Sequence, residues 1–295
     1  MKVAFIGLGN MGAPMAERLL SGGFETRVFD SNPAASERFG AAYAPTVLEA
    51  ATGADVVVTM LPDGHIVRKV LLETEGLLSA VAPGAVFLDM SSSGASGTVE
   101  LGRALAAHGH PLVDAPVSGG VPMASAGTLA LMVGTDDDAA FARVEPLLLR
   151  LGVKIARMGG LGSGHATKAI NNAIAAATLA VTAEGLVMGE RFGIDPATLL
   201  EVINASTGRS GVSESVFKTQ IVSRRFAQGF ALALMAKDVG LADGLRDGLG
   251  LDLPVLAATK RNWDAARDAL GAGADFTSYF IHVERSNGIK EGDRQ

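Results

Sequence analysis

Short β-branched runs alternate with helix-like stretches up to about Gly160 and then stop. That alternation is the pattern of a parallel sheet whose strands are joined by crossover helices. Candidate strands lie at 3–6, 26–29, 55–60, 86–88, 111–113, 129–133 and 153–156, separated by helix-like stretches such as 11–21, 96–108 and 137–149. Beyond Gly160 the pattern turns helical: a long segment over 164–192, then 196–206, 211–222, 230–249 and 254–270. The predicted class is α/β, a doubly wound sheet over residues 1–161 followed by an all-α domain over 162–295, with a glycine-marked hinge near 160–164. A polar tail from Ser286 is expected to fray. At 295 residues, 48% of them hydrophobic, the chain can fill two cores.

Several classes of function are set aside by composition. Net charge is −6 with the basic residues scattered, so neither nucleic acid nor an anionic membrane surface is an expected partner. Without cysteine there is no disulfide, thiolate nucleophile or cysteine-ligated metal. His108-Gly109-His110 reads as a polar loop with no accompanying carboxylate pair, so no metal is expected. The apolar run at Met1–Ile6 is too short for a signal peptide. Thr178, Thr182 and Glu184 interrupt the Ala-rich stretches, so no membrane span is expected. A soluble, cytoplasmic protein follows.

Directly after the first strand stands Gly7-Leu8-Gly9-Asn10-Met11-Gly12, opening a helix. Glycines there turn the chain and let backbone N–H groups approach a pyrophosphate at the helix N-terminus. The second strand ends at Asp30, 18 residues after Gly12 and close to the offset of the carboxylate that binds an adenosine ribose. The alternative is a cap for the helix near Pro33. A carboxylate repels the 2′-phosphate of NADP, and Ser31 and Asn32 follow it, so NAD is favoured; Arg38, a little further on, could alter that preference. Ligands of open α/β sheets bind beyond the carboxyl ends of strands, which puts Met60-Leu61-Pro62 and the loop Asp89–Gly94 beside the dinucleotide.

Behind Gly162 and Gly164, Lys168 and Asn172 stand four residues apart on one helix face. Small and apolar residues from Ala173 to Ala183 imply that both polar heads project into a buried or cleft environment. A desolvated ammonium loses part of its preference for charge, which makes lysine usable as an acid or base. Asp114-Ala115-Pro116-Val117-Ser118-Gly119-Gly120 follows another strand, and its glycine turn with one hydroxyl suits a carboxylate, or is a plain loop.

Four motifs in this order, 5–12, 114–120, 162–172 and Lys237-Asp238 with Leu241-Ala242, make the chain resemble the β-hydroxyacid dehydrogenases, which pair a Rossmann-type domain with a helical one. The resemblance implies that Lys168 is the catalytic acid/base and that Asn172 orients the reacting group. It places Ser118, Gly119 and Gly120 on the substrate carboxylate, Asn171 at the substrate, and Ser92, Phe230 and Lys237 by the nicotinamide. Lysine is scarce, eight against seventeen arginines, which strengthens 168 and 237; an ion pair on a helix face is the other reading of Lys237-Asp238. The customary proline after Ser92 is replaced by Gly94 and Ala95. Longer 6-phosphogluconate dehydrogenases carry histidine where Asn171 stands, and imine reductases typically lack the lysine. A regulatory dinucleotide-binding module would show a changed residue at 168. Ser206–Ser210 resembles the corresponding turn of 3-hydroxyisobutyrate dehydrogenases, with Asn204 to Arg209 reaching towards the substrate. That favours 3-hydroxyisobutyrate over tartronate semialdehyde or succinic semialdehyde, and the Ala-rich long helix implies a homodimer or homotetramer.

Overall fold

The computed structural model describes residues 1–289. It divides into two compact units, Met1–Lys168 and Ala169–Gln295. The division falls seven residues beyond the boundary expected at 161/162, because the first turn of the helix Ser163–Phe192 is bonded to the sheet of the first unit.

The first unit holds eight strands: β1 (Lys2–Ile6), β2 (Glu25–Phe29), β3 (Val56–Thr59), β4 (Val86–Asp89), β5 (Leu112–Asp114), β6 (Val117–Ser118), β7 (Leu129–Gly134) and β8 (Gly152–Gly159). Their order is β2-β1-β3-β4-β5-β7-β6, with β8 beside β7. From β2 to β5 all neighbours run parallel. The far edge is mixed, since β7 is antiparallel to β5 and β6 and parallel to β8. Two-residue β6 is too short to leave an alternation in the sequence.

Side-chain alternation explains why the central strands read as unbroken apolar runs. Val3, Phe5, Val56, Val58 and Leu88 enter one core cluster, while Ala4, Ile6, Val57 and Phe87 enter another on the opposite face. With helices over both faces, β3 and β4 are buried at every residue. The parallel strands consequently end along one edge of the sheet, and the order reverses between β1 and β3, where such sheets bind ligands. His110, from the predicted polar loop, is buried between the carbonyls of Ala85 and Leu78.

The second unit is helical, its core gathered around Trp263, Phe217, Phe280 and Leu179. The stretch predicted as helix over 211–222 is a π-helix, Ser213–Val222. A helix at Tyr279–Ser286 had no sequence signal. The tail is ordered past Ser286, with Asn287 accepting from Arg191 and Ile289 buried; residues 290–295 lie outside the described residues.

The helix Ser163–Phe192 is long and apolar enough to cross a membrane by length and composition, Thr178, Thr182 and Glu184 notwithstanding. Its apolar window is 56% buried inside the protein, as in a core helix. Part of its apolar surface is uncovered: Ile170, Ile174, Val181, Met188 and Phe192 are exposed. Beside them lies a groove of about 360 Å³, walled by Ile174, Leu249, Leu253 and Val255 among others.

Trp263 stacks on Tyr279 at 4.6 Å and donates its indole N–H to the Ala176 carbonyl. Burial, reinforced by the Glu184 charge, pushes the Tyr279 phenol up to about 12 from its ordinary 10.0. A phenol that holds its proton more tightly when folded contributes stability fully below pH 10, and that contribution is lost as pH rises towards 12. In an alkaline absorbance titration, the phenolate signal removed by Tyr279→Phe is expected to emerge about pH 12; emergence near pH 10 would contradict this packing.

Candidate active site

At the carboxyl end of β1, two glycines are demanded by the protein itself. Gly7 has φ +100°, and a Cβ there would stand 2.3 Å from the Met60 carbonyl oxygen; a Cβ at Gly12 would stand 1.9 Å from that of Gly7. Gly9 differs, because a Cβ there meets nothing within 4 Å. The helix Gly12–Ser21 begins at Met11 with no capping side chain and no acid in its first turn. An uncapped, positively polarised helix start beside an open glycine fits an anionic dinucleotide phosphate.

Asp30 ends β2 and turns back to this loop, accepting the Leu8 N–H at 2.6 Å and the Asn32 N–H at 2.8 Å. Its carboxylate is thus fixed beside the glycine loop. Arg38 is held by both oxygens of Glu17, at 2.6 and 2.8 Å. This fork-to-fork bond holds the Glu17 carboxyl below its usual range and the guanidinium above its own. Across the sheet, Leu61 donates its N–H to the Ser91 hydroxyl at 2.9 Å, which ties the Met60–Pro62 turn to the loop that carries Ser92. Asp63 caps the following helix by accepting the Ile66 N–H.

Beneath these loops lies a buried polar cluster that sequence reasoning did not assemble. Asp89, at the end of β4, accepts from Thr59 Oγ1, the Ser91 N–H and Ser93 Oγ at 2.9–3.0 Å. Asp114, at the end of β5, accepts the Gly162 and His165 N–H groups, each at 2.7 Å. Between the two acids sits the His165 ring, 3.7 Å from each. Nδ1 of that ring shares a 2.7 Å bond with the Thr98 hydroxyl, and Nε2 donates to the Ser91 carbonyl at 3.1 Å. Burial pushes the Asp114 carboxyl up, opposed by the nearby imidazole and the two N–H donors. An acid closing an apolar strand was the available signal; nothing in the sequence says that it turns inward.

Asp114 leads straight into the loop read as a carboxylate cup. Ser118 is half-buried in β6, and Gly119 and Gly120 follow with φ +137° and +67°. Two successive residues in that region are open to glycine alone at low cost. On the helix Ser163–Phe192, Lys168 is half-buried and belongs to the first unit.

In the second unit Asn172 is buried and donates its amide to Asp238 at 2.6 Å, while Asn171 is exposed and donates to Asn172 Oδ1. The ion pair that was the other reading of Lys237-Asp238 is present at 3.2 Å, so one carboxylate serves both Lys237 and Asn172. Phe230 packs edge-on against Phe276 at 6.0 Å. Asn204 is engaged in holding its turn, accepting from Ser213 Oγ at 2.6 Å, and Arg209 is paired with Glu214.

Comparison with known proteins finds matches over both units. Residues 2–160 match the NAD binding domain of 6-phosphogluconate dehydrogenase, and 162–282 match the NAD-binding region of NADP-dependent 3-hydroxyisobutyrate dehydrogenase. The 2-(hydroxymethyl)glutarate dehydrogenase of Eubacterium barkeri is 39% identical over 294 residues, covering 98% of this chain and 97% of that one. The 3-hydroxyisobutyrate dehydrogenase of Pseudomonas aeruginosa is 39% identical over 288 residues, 94% of this chain and 96% of that one. Among solved structures, Mycobacterium tuberculosis 3-hydroxyisobutyrate dehydrogenase with L-serine superposes with a TM-score of 0.87 at 34% identity, over 96% of this chain and 98% of that one. With its dinucleotide loop, lysine-bearing helix and near-complete coverage by such relatives, this chain belongs to the β-hydroxyacid dehydrogenase family, NAD(P)-dependent oxidoreductases acting on a CH–OH group.

Proposed function

We propose that this chain oxidises a small 3-hydroxy carboxylic acid with NAD, best fitted by 3-hydroxyisobutyrate going to methylmalonate semialdehyde, with Lys168 as the acid/base. One observation carries the reading: the helix bearing Lys168 is bonded at its start to Asp114, the residue that leads into the Ser118–Gly120 loop. The proposed proton-transfer group and anion loop thus fall in one compact unit. Pyrophosphate is assigned to Gly7-Leu8-Gly9-Asn10-Met11-Gly12, and the ribose to Asp30. Met60, Leu61, Pro62 and Ser92 are assigned to the dinucleotide beyond β3 and β4, and Phe230 and Lys237 to the nicotinamide by family likeness. When bound, the nicotinamide supplies the hydride acceptor.

The substrate carboxylate is assigned to Ser118, Gly119 and Gly120; family likeness assigns Asn171 to the substrate and Asn172 to orienting the reacting group. Lys168 Nζ removes the hydroxyl proton and returns it in the reductive direction. Anchoring one end of the substrate while a fixed base meets the other converts binding into orientation. A substrate panel of 3-hydroxyisobutyrate, L-serine, tartronate semialdehyde and succinic semialdehyde, followed at the nicotinamide absorbance band, should rank 3-hydroxyisobutyrate first. Lys168→Ala should lower kcat by about 10²- to 10⁴-fold while dinucleotide binding survives. Near-normal turnover would overturn the assignment.

NAD over NADP is supported by Asp30 at the end of β2 and by the engagement of Arg38 with Glu17. Turnover with NAD should exceed that with NADP at equal concentration, and Asp30→Ala should narrow the gap; the reverse ranking in the parent chain rejects this use of Asp30. The reading places the enzyme in the cytoplasm. The exposed apolar stripe from Ile170 to Phe192, continuous with its groove, supports a homodimer or homotetramer formed through the helical unit. Sedimentation showing only monomer at assay concentration would contradict that.

A further inference from the structure

We propose that Asp114 is a positioning residue, whose buried carboxylate fixes where Lys168 stands relative to the substrate loop. The inference rests on the role given to Lys168 above. The helix Ser163–Phe192 has no acid in its own first turn. Negative charge at its positively polarised start comes instead from a strand end, with Asp114 Oδ1 taking the Gly162 N–H and Oδ2 the His165 N–H. Both oxygens are used, so the helix start is fixed in direction as well as in place.

Space for this carboxylate is made by two other glycines. A Cβ at Gly134 would stand 2.3 Å from Asp114 Oδ1, and one at Gly164 would stand 2.7 Å from Oδ2 and 2.2 Å from the Met132 carbonyl oxygen. The helix start is therefore pressed against β7 as well as bonded to β5. His165 adds a second fixing on the same turn, through Thr98 and the Ser91 carbonyl.

Stability alone is a poor account of an acid here. A fully buried carboxylate carries a desolvation cost, and the raised Asp114 pKa is its trace. The charge is nonetheless matched to two donors converging from one helix turn, a geometry that asparagine cannot reproduce because it offers one acceptor oxygen and an N–H₂ that meets the second donor. Lys168 lies four residues beyond Gly164, about 6 Å along the axis. A tilt at the first turn is thus carried to the amine, and a misplacement of about 1 Å can cost on the order of 10²-fold in rate.

The test is Asp114→Asn in the full chain, with dinucleotide binding titrated so that kcat is expressed per cofactor-binding site, and with Lys168→Ala run in parallel. Dinucleotide affinity should stay within about twofold and kcat per site fall at least about tenfold, by a larger factor than KM rises. A purely structural role would lower the number of binding sites or the melting temperature and leave kcat per site within about twofold, which would overturn the proposal. Should Asp114→Asn fail to fold, Gly134→Ala, which displaces the carboxylate without removing its charge, should give the same fall in kcat per site; normal turnover there also overturns it. Full activity in Lys168→Ala defeats the functional reading itself, whereas an inactive Lys168→Ala beside a fully active Asp114→Asn defeats the positioning role alone.

Discussion

The carboxylate of Asp114 closes β5 and accepts two N–H groups from the first turn of the helix that carries Lys168. Through that pair of 2.7 Å bonds, a sheet built by apolar alternation acquires a fixed direction for its functional helix. The same residue begins the loop at Ser118–Gly120, so loop and helix diverge from a single buried atom group. Asp89 performs the parallel task one strand over, gathering Thr59, Ser91 and Ser93, and His165 joins the two. Polar groups so thoroughly satisfied in a dry interior favour one arrangement over near alternatives.

Around this cluster, the glycines divide into two kinds. Gly7, Gly12, Gly134 and Gly164 are required by atoms of the protein, which a Cβ would strike. A Cβ at Gly9 would meet no protein atom within 4 Å, which leaves room at the uncapped helix start for the dinucleotide phosphate proposed there. In the function proposed, Asp30 would offer that ligand a carboxylate, while Arg38 is engaged by Glu17.

Much of the fold was legible because its elements are long and strongly patterned. Seven strands and the long helix follow from periodicity, whereas β6, the helix Tyr279–Ser286 and the π geometry at Ser213–Val222 do not, being short or decided by packing partners distant in sequence. Of the site, the local motifs could be read: Gly7–Gly12 with Asp30, the Ser118–Gly120 turn, and Lys168 four residues before Asn172. What could not be read were bonds across 48 to 74 residues, such as Gly162 to Asp114 and His165 to Ser91. For the same reason the partners of Arg38 and Asn172 were hidden, and only the folded chain shows them engaged by Glu17 and Asp238.

A crystal structure of the ternary complex, with dinucleotide and a 3-hydroxy acid both bound, tests the central claim most directly. Lys168 Nζ is expected within hydrogen-bond reach, about 3 Å, of the hydroxyl oxygen that is oxidised, with Asp114 still accepting from Gly162 and His165. An amine turned into bulk solvent, or a helix start released from Asp114 in the bound state, would contradict it.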